Sequence, residues 1–276
     1  MKHLFTYRDE LLYCHYTLDD SPQAADFSIH AHEMYEIYYI LSGAGSFLVE
    51  GTQYPLQSGD LLIMREAEAH KLLIDTTQPY ERIAIHFSPR LLRQFDASGD
   101  LLRPFRDRPL GQLNRYCDGD FPNPHWKSAF QDFDFSGSTQ VRAHVIARLI
   151  SLLPELCDAF DQRRGGVLPI HGAQAHFVAY VNEHLFEKIT AKTLSAAFFH
   201  SPSQIARTFH SATGTSLKQY VGVKRLLAAR AMIQRGESAG LACTACGFDD
   251  YSAFYRAYKK QFAKSPRSDM PRETAP

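Results

Sequence analysis

The sequence predicts an α+β, two-domain chain: an antiparallel β-barrel with a helical segment after it, then an all-α C-terminal domain. Three observations carry this. Short aromatic and β-branched runs, broken by glycine turns, fill the first 90 or so residues. Helix start and stop signals dominate after residue 172. The formal net charge of zero hides a split: from His171 onward there are 14 Lys+Arg against 7 Asp+Glu, and before it 16 against 23. At 276 residues there is room for two cores. An acidic first part and a basic second part suggest different jobs, and the basic part is the candidate surface for a polyanion.

The totals also exclude. The opening MKHLFTYRDELLY is too charged for a signal peptide, and no run reaches the roughly 18 apolar residues of a membrane span. The five cysteines, Cys14, Cys117, Cys157, Cys243 and Cys246, are scattered and odd in number. They form no disulfide framework, so a reducing cytoplasm is the expected location. Cys243 and Cys246 make a C-x-x-C without the strand–helix context of a redox site or the second pair of a zinc site. They are expected to be small core residues.

In order along the chain, MYEIYYIL reads as a strand and SGAG as its turn. SFLVEGTQYPLQSGDLLIM reads as short strands divided at Glu50-Gly51 and Ser58-Gly59-Asp60, and YERIAIHF alternates again from Tyr80. This spacing argues for a small antiparallel barrel or sandwich over residues 1–138. Pro104, Pro109, Pro122 and Pro124 interrupt the part after residue 90. From Thr139, Val141, Val145, Leu149, Leu152, Leu156 and Phe160 recur at helical steps, with Pro154 expected to kink or split the helix. That stripe over 139–162 suits either a dimer contact or packing on the chain's own barrel. Residues 163–172, within DQRRGGVLPIHG, read as a linker. Then come helices at about 173–186, near Thr193, from Ser201-Pro202 to Thr213-Gly214, from Ser216 to Gln234, and two short ones divided by Gly247.

The stretch GFDDYSAFYRAYKKQF holds most of the C-terminal argument. Asp249 or Asp250 can cap a helix from Tyr251. Phe254, Ala257, Tyr258, Gln261 and Phe262 then share an inner face, while Tyr251, Ser252, Tyr255, Arg256 and Lys259 face away. HSPSQIARTFHSATG has the same logic, with Ile205 and Phe209 inward and Ser203, Ala206 and Arg207 outward. Each helix follows a short helix and a tight turn, the helix-turn-helix pattern. Two such units joined by one long helix can reach successive major-groove segments roughly 34 Å apart.

Residues 173–276 resemble the DNA-binding domain of the AraC/XylS transcription regulators. The matching residues in the first half are Leu194, Ala197, Ser201, Ile205, Phe209, Thr213-Gly214, Tyr220, Arg225-Leu226 and Ala229. In the second half they are Gly247-Phe248, Asp250, Ser252, Phe254, Arg256, Lys259 and Ser265-Pro266. The resemblance implies that Ser203, Ala206 and Arg207, and then Tyr251, Ser252, Tyr255 and Arg256, face bases or phosphates. The chain departs from the pattern at Gly240–Cys243, at Ala263 where a glycine is usual, and at Asp269-Met270 where an aromatic–arginine pair is usual. Weaker packing or re-angling of the last turns is the expected consequence.

In the first part His30, His32 and Glu36 have H-x-H-x-x-x-E spacing, with His70 after Gly59-Asp60. This resembles the cupin barrel, whose metal forms hold one ion with three His and one Glu, here His30, His32, Glu36 and His70. Ala24, Arg65 and Ala67 stand where the cupin motifs have glycine or proline. Three readings stay open: a divalent metal site, hydrogen-bonded barrel residues, or a polar ligand pocket. Alternation places Glu36, Tyr38 and Ile40 on one strand face, and Arg82, Ala84 and His86 on another. A mouth lined by His30, His32, Glu36, Tyr38, His70, Arg82 and His86 suits a hydroxylated molecule. A sugar is implied by the regulator resemblance. The expectation is a ligand-responsive transcription regulator with no catalytic residues and no required cofactor. Its expected partners are double-stranded DNA, a small polar ligand, a second copy of the chain and, for an activator, RNA polymerase; no membrane is involved. The rival is a metal-dependent cupin enzyme, a dioxygenase or isomerase, carrying a DNA-binding tail.

Overall fold

The computed structural model describes residues 1–164 and 173–271. Most of the expected linker, from residue 165 to 172, lies outside the described residues. The chain divides into two compact units. The first comprises Met1–Ser28 with Glu33–Ile170, and the second Ile29–His32 with His171–Pro276.

The first unit contains β1 (Lys2–Arg8), β2 (Leu12–Asp19), β3 (Tyr35–Ser42), β4 (Gly45–Val49), β5 (Thr52–Leu56), β6 (Leu61–Met64), β7 (His70–Ile74), β8 (Tyr80–Phe87) and β9 (Arg115–Tyr116). They form a six-stranded sheet ordered β1-β2-β8-β3-β6-β9 and a three-stranded sheet ordered β5-β4-β7. Among the described residues the strands pair antiparallel. Glu50-Gly51 is the two-residue turn of the β4–β5 hairpin, with both residues at positive φ, 47° and 88°. That is the type I′ geometry matching the twist of the flanking strands.

Alternation gives the six-stranded sheet two apolar faces. One face contributes Tyr38, Ile40, Leu62, Met64 and Ala84 to a core shared with Phe47, Val49, Leu56 and Leu72 of the smaller sheet. The other contributes Leu12, Cys14, Ile37, Tyr39, Leu61, Ile63, Ile83 and Ile85 to a core closed by α2 (Val141–Arg164). Val145, Leu149, Leu152, Leu153, Leu156 and Ala159 of α2 lie in this second core. The apolar stripe after Thr139 therefore packs on its own barrel. The helix also runs two residues beyond the expected end and is not split at Pro154. Pro154 is solvent-exposed, and the buried stripe on the other side outweighs a proline penalty of about 3 kcal/mol.

Between β8 and β9 the chain passes α1 (Arg103–Arg106) and is pinned by a buried ion pair. Arg108 donates from both terminal nitrogens to Glu68, each at 2.7 Å, and Asn114 adds a third bond at 3.0 Å. Burial alone would raise the Glu68 carboxyl; the facing Arg108 overrides it and holds the group at about 2.

The second unit contains α3 (Ala173–Glu183), α4 (Ala191–Phe198), α5 (Pro202–Thr213), α6 (Leu217–Gln234), α7 (Ala239–Ala245) and α8 (Tyr251–Phe262). The caps sit where the residues announce them. Ser201 and Gln204 close a capping box on α5 with Pro202 at its first turn, and Gly214 ends that helix in the left-handed region. Asp250 caps α8 by accepting from the Ala253 N–H at 2.6 Å. Ala242, Cys243 and Cys246 are core residues packed with Leu226, Ala229, Ile233, Phe254 and Tyr258.

Of the three alanines that stand where the resembled families have glycine, Ala67 and Ala263 keep a left-handed backbone and Ala24 does not. Ala67 has φ 58° and Ala263 has φ 55°. Asp269 replaces the usual residue with an anchor of its own: it accepts from Arg230 Nε at 2.8 Å and from the Tyr258 hydroxyl at 2.8 Å. The last turn is thus tied to α6 and α8 rather than loosened. Gly247 is the opposite case. At φ 76°, a Cβ there would lie 2.6 Å from the Phe186 carbonyl oxygen and 2.9 Å from the Arg225 guanidinium carbon. Ala67→Gly and Ala263→Gly should each stabilise the chain by about 1 kcal/mol, and Gly247→Ala should cost about 2 kcal/mol or more. Urea denaturation measures all three; a stabilising Gly247→Ala would contradict this packing.

Candidate functional site

The barrel site follows from strand register. Tyr13 pairs with His86 and His86 with Glu36; His15 pairs with Ala84 and Ala84 with Tyr38; Thr17 pairs with Arg82 and Arg82 with Ile40. Alternation then sets Glu36, Tyr38, Arg82, His86, Tyr13, His15 and Thr17 on one sheet face. β7 supplies His70 from the smaller sheet.

Glu36 is buried and engaged twice. His70 Nε2 lies 3.2 Å from one carboxylate oxygen and His86 Nε2 lies 3.5 Å from the other. His70 Nδ1 meets the Glu68 carbonyl oxygen at 2.8 Å. Burial pulls the His70 pKa down, but Glu36 reverses the effect and the net shift is upward. Tyr13 and His15 stack beside His86, with ring centroids 5.2 and 6.0 Å from it. Of the four residues expected to share a metal, Glu36 and His70 come together at 3.2 Å, and His32 joins Glu36 and His86, their ligand atoms all within 4.8 Å of one another.

A second cluster surrounds Arg82. The Tyr38 and Tyr80 hydroxyls are 2.5 Å apart. The guanidinium carbon lies 5.4 Å from the Phe27 and Tyr38 ring centroids and 5.6 Å from that of Tyr80. Burial raises both phenol pKa values, Tyr80 well above its usual range, so neither supplies an anion. Arg82 as a residue is half-buried, yet its Nε and Nη1 are sealed from solvent and have no hydrogen-bond partner. His15 Nδ1 is in the same condition. His15, Tyr80, Phe27 and Thr17 escape a reading of the sequence, although alternation along LYCHYTLD places Tyr13, His15 and Thr17 on one face.

In the second unit each recognition-helix candidate buries one stripe and shows the other. Ile205 and Phe209 of α5 are 1% and 0% exposed, as are Phe254 and Tyr258 of α8 at 0% each. Burying side chains of this size contributes about 1.5–3 kcal/mol apiece, enough to fix each helix's rotation. Ser203, Ala206 and Arg207 are exposed on α5, and Tyr251, Ser252, Tyr255, Arg256 and Lys259 on α8. Tyr251 and Tyr255 are 47% and 37% exposed, large aromatics kept out of the core beside two cations. α4 precedes α5, and α7 precedes α8, across a short turn in each case. Phe199, in the first turn, is left-handed at φ 55° and 95% exposed, for which no packing reason is visible.

An exposed polar stripe on each of two capped helices, with a separate barrel carrying a polar interior, defines a class: a ligand-binding β-domain joined to a helix-turn-helix DNA-binding domain. A family model described as the AraC-like ligand binding domain matches residues 15–130, and one described as a helix-turn-helix domain matches residues 194–270. The HTH-type transcriptional activator RhaS of Escherichia fergusonii is 24% identical over 264 residues, covering 89% of this chain and 88% of that one. The HTH-type transcriptional regulator YobQ of Bacillus subtilis is 33% identical over 91 residues, covering 33% of this chain and 38% of its own. The crystal structure of unsaturated fatty acid bound ToxT from Vibrio cholerae aligns with 95% of each chain at 9% identity and a TM-score of 0.41. The chain belongs to the AraC family of transcription regulators, with an N-terminal ligand-binding domain. It is a regulator rather than an enzyme, and the metal-dependent enzyme alternative has no support among these relatives. No helix among the described residues is long and apolar enough to cross a membrane.

His15 supplies a test of the barrel's electrostatics. Burial first, then the charge of Arg82, lowers its pKa from 6.5 to about 4; Glu36 opposes the shift, and His3 and Arg8 add to it. In the unfolded chain His15 takes up a proton as pH falls through 6.5, and in the folded chain it does so only near 4. Stability therefore falls through that window, by up to about 3 kcal/mol from this residue. His70 has the opposite sign: its contribution is present below 6.5 and lost as pH rises through its raised folded value. His15→Gln should reduce the stability difference between pH 7 and pH 4.5 by about 2 kcal/mol in urea melts. An unchanged difference would mean that His15 is not held neutral.

Proposed function

We propose that the barrel senses a small polar ligand and that α5 and α8 read operator DNA in two successive major-groove segments. The observation that carries the DNA half is the matched pair of helices, each with its apolar stripe at or near zero exposure and its polar stripe in solvent. Arg207 and Arg256 are the candidates for base contacts. Ser203, Ala206, Ser252, Tyr251 and Tyr255 shape the contact around them, and Lys259 meets phosphate. The excess of basic residues after His171 supplies the sequence-independent part of the affinity.

The ligand half rests on the barrel interior, where Glu36, Tyr38, His70, Arg82 and His86 share a core otherwise built from apolar side chains. Imidazole, carboxylate, phenol and guanidinium groups beside aromatic rings suit a hydroxylated molecule, a sugar or a close chemical relative. The chain works in the cytoplasm as a homodimer, and as an activator it would also meet RNA polymerase. Since α2 spends its apolar stripe on its own barrel, another surface must make the dimer contact. Domain limits of 1–138, 139–162 and 173–276, with a linker between the last two, suit this division of labour. Ligand shifts the regulator between DNA-binding arrangements only by as much as it prefers one of them.

Arg207→Ala and Arg256→Ala should each weaken binding to a selected operator by about 1–3 kcal/mol while changing random-sequence binding less. Fluorescence anisotropy on both DNAs measures this. Equal losses on the two would reassign the arginines to phosphate. Binding to random DNA should also fall steeply between 50 and 200 mM salt; a flat salt curve would remove the basic surface from the account.

A further inference from the structure

The Arg82 cluster contains a cation without an ion-pair partner, on which Glu36 acts only from beyond ion-pair distance. Among the described residues no carboxylate pairs with Arg82, and the acid on its own sheet face, Glu36, is engaged by His70 and His86. Tyr38 and Tyr80 are neutral phenols that meet each other at 2.5 Å. The Met1 sulfur lies 3.8 Å from Nη2, and a thioether is a weak acceptor. Three aromatic rings offset part of the desolvation by cation–π attraction. The Tyr38 and Tyr80 hydroxyls also favour the charged guanidinium, yet neither Nε nor Nη1 has an acceptor in good hydrogen-bond geometry. Buried donors on a charged group are expensive to leave unmatched. Where one guanidinium is held this way next to a second orphaned polar atom, His15 Nδ1, the two together point to a ligand rather than to the fold.

We propose that the Arg82 guanidinium is the anchor for a carboxylate on the barrel's ligand, with His15 taking a neighbouring hydroxyl. This rests on the ligand-sensing reading and narrows it from polyols in general to hydroxylated carboxylates, such as uronic or aldonic acids. A planar guanidinium matches a carboxylate with two parallel N–H···O bonds, which a neutral sugar hydroxyl cannot reproduce. Phe27, Tyr38 and Tyr80 offer ring faces to the carbon skeleton. Register places His15 on the strand beside Arg82, one alternate step along the same face, since His15 pairs with Ala84 and Thr17 with Arg82. That offset suits a hydroxyl one or two carbons from the acid. Glu36, held by its two histidines, stands off as a fixed negative group that would repel a second acid, so a monocarboxylate fits and a dicarboxylate does not.

The test uses the full chain, with D-glucuronate, D-galacturonate and D-gluconate against D-glucose and D-galactose, all at 10 mM and matched ionic strength. Thermal melting and calorimetry read binding. At least one acid should raise Tm by several degrees with no comparable shift from its neutral partner. Arg82→Gln should weaken that acid at least tenfold while its far-ultraviolet circular dichroism spectrum remains that of a folded chain. Should the variant fold poorly, Arg82→Lys, which keeps the charge and loses the fork, should bind the acid more weakly at unchanged stability. A neutral sugar that binds as well as its acid, or an acid unaffected by Arg82→Gln, overturns the carboxylate assignment and leaves ligand sensing standing. No shift from any of the five compounds counts against both.

Discussion

One guanidinium on α6 fixes the geometry on which DNA recognition depends. Arg225 donates from Nε to the Leu185 carbonyl oxygen at 2.8 Å, and from its two terminal nitrogens to the carbonyl oxygens of Glu187 and Gly247. Two of these acceptors lie in the segment between α3 and α4, and the third lies in the turn that launches α8. A cation from the central helix thus ties the first helix-turn-helix to the second without using any side-chain partner. The arrangement demands glycine at 247, since a methyl group there would meet both the guanidinium and the Phe186 carbonyl. The rest of α6 supports the tie by burying Tyr220, Val223, Leu226, Leu227, Ala229 and Ile233. A scaffold anchored in this way can leave Tyr251 and Tyr255 in solvent without letting α8 roll them into the core.

Register plays the corresponding part in the barrel. Because strand side chains alternate, a one-residue slip between β3 and β8 would send Glu36, Tyr38, Arg82 and His86 to the α2 side of the sheet. The slip is prevented by apolar alternation on both faces at once: Ile37, Ile83 and Ile85 are needed against α2, and Tyr38 and Ala84 against the smaller sheet. The polar cluster is therefore held at the centre of a face whose other members are apolar. In that confined space Arg82 lowers the proton affinity of His15, while Glu36 raises those of His15, His70 and Arg82.

Much of the DNA-binding unit was legible in the residues because its signals are local. Ser201-Pro202, Thr213-Gly214 and Asp250 mark helix ends through contacts spanning only a few residues. The inner and outer stripes follow from the helical period alone. The barrel was legible as strands and as strand faces, and it became opaque at strand order. Nothing local says that β8 lies between β2 and β3, so His15 could not be set beside Arg82, nor Glu36 opposite His86. The Glu68–Arg108 pair and the Asp269 anchor are invisible for the same reason: each joins residues far apart in the chain. Pro154 shows a local rule overruled by packing. The alanines at 67 and 263 show a backbone conformation kept by the surrounding fold after the residue that favours it has gone.

Hydroxyl-radical footprinting of the full chain on a site selected from random DNA tests the central claim most directly. Two recognition helices fixed to one scaffold should protect two backbone segments about one helical turn apart on the same face of the duplex for each bound copy. A single protected segment per copy, or protection on opposite faces, would contradict a rigid pair of recognition helices.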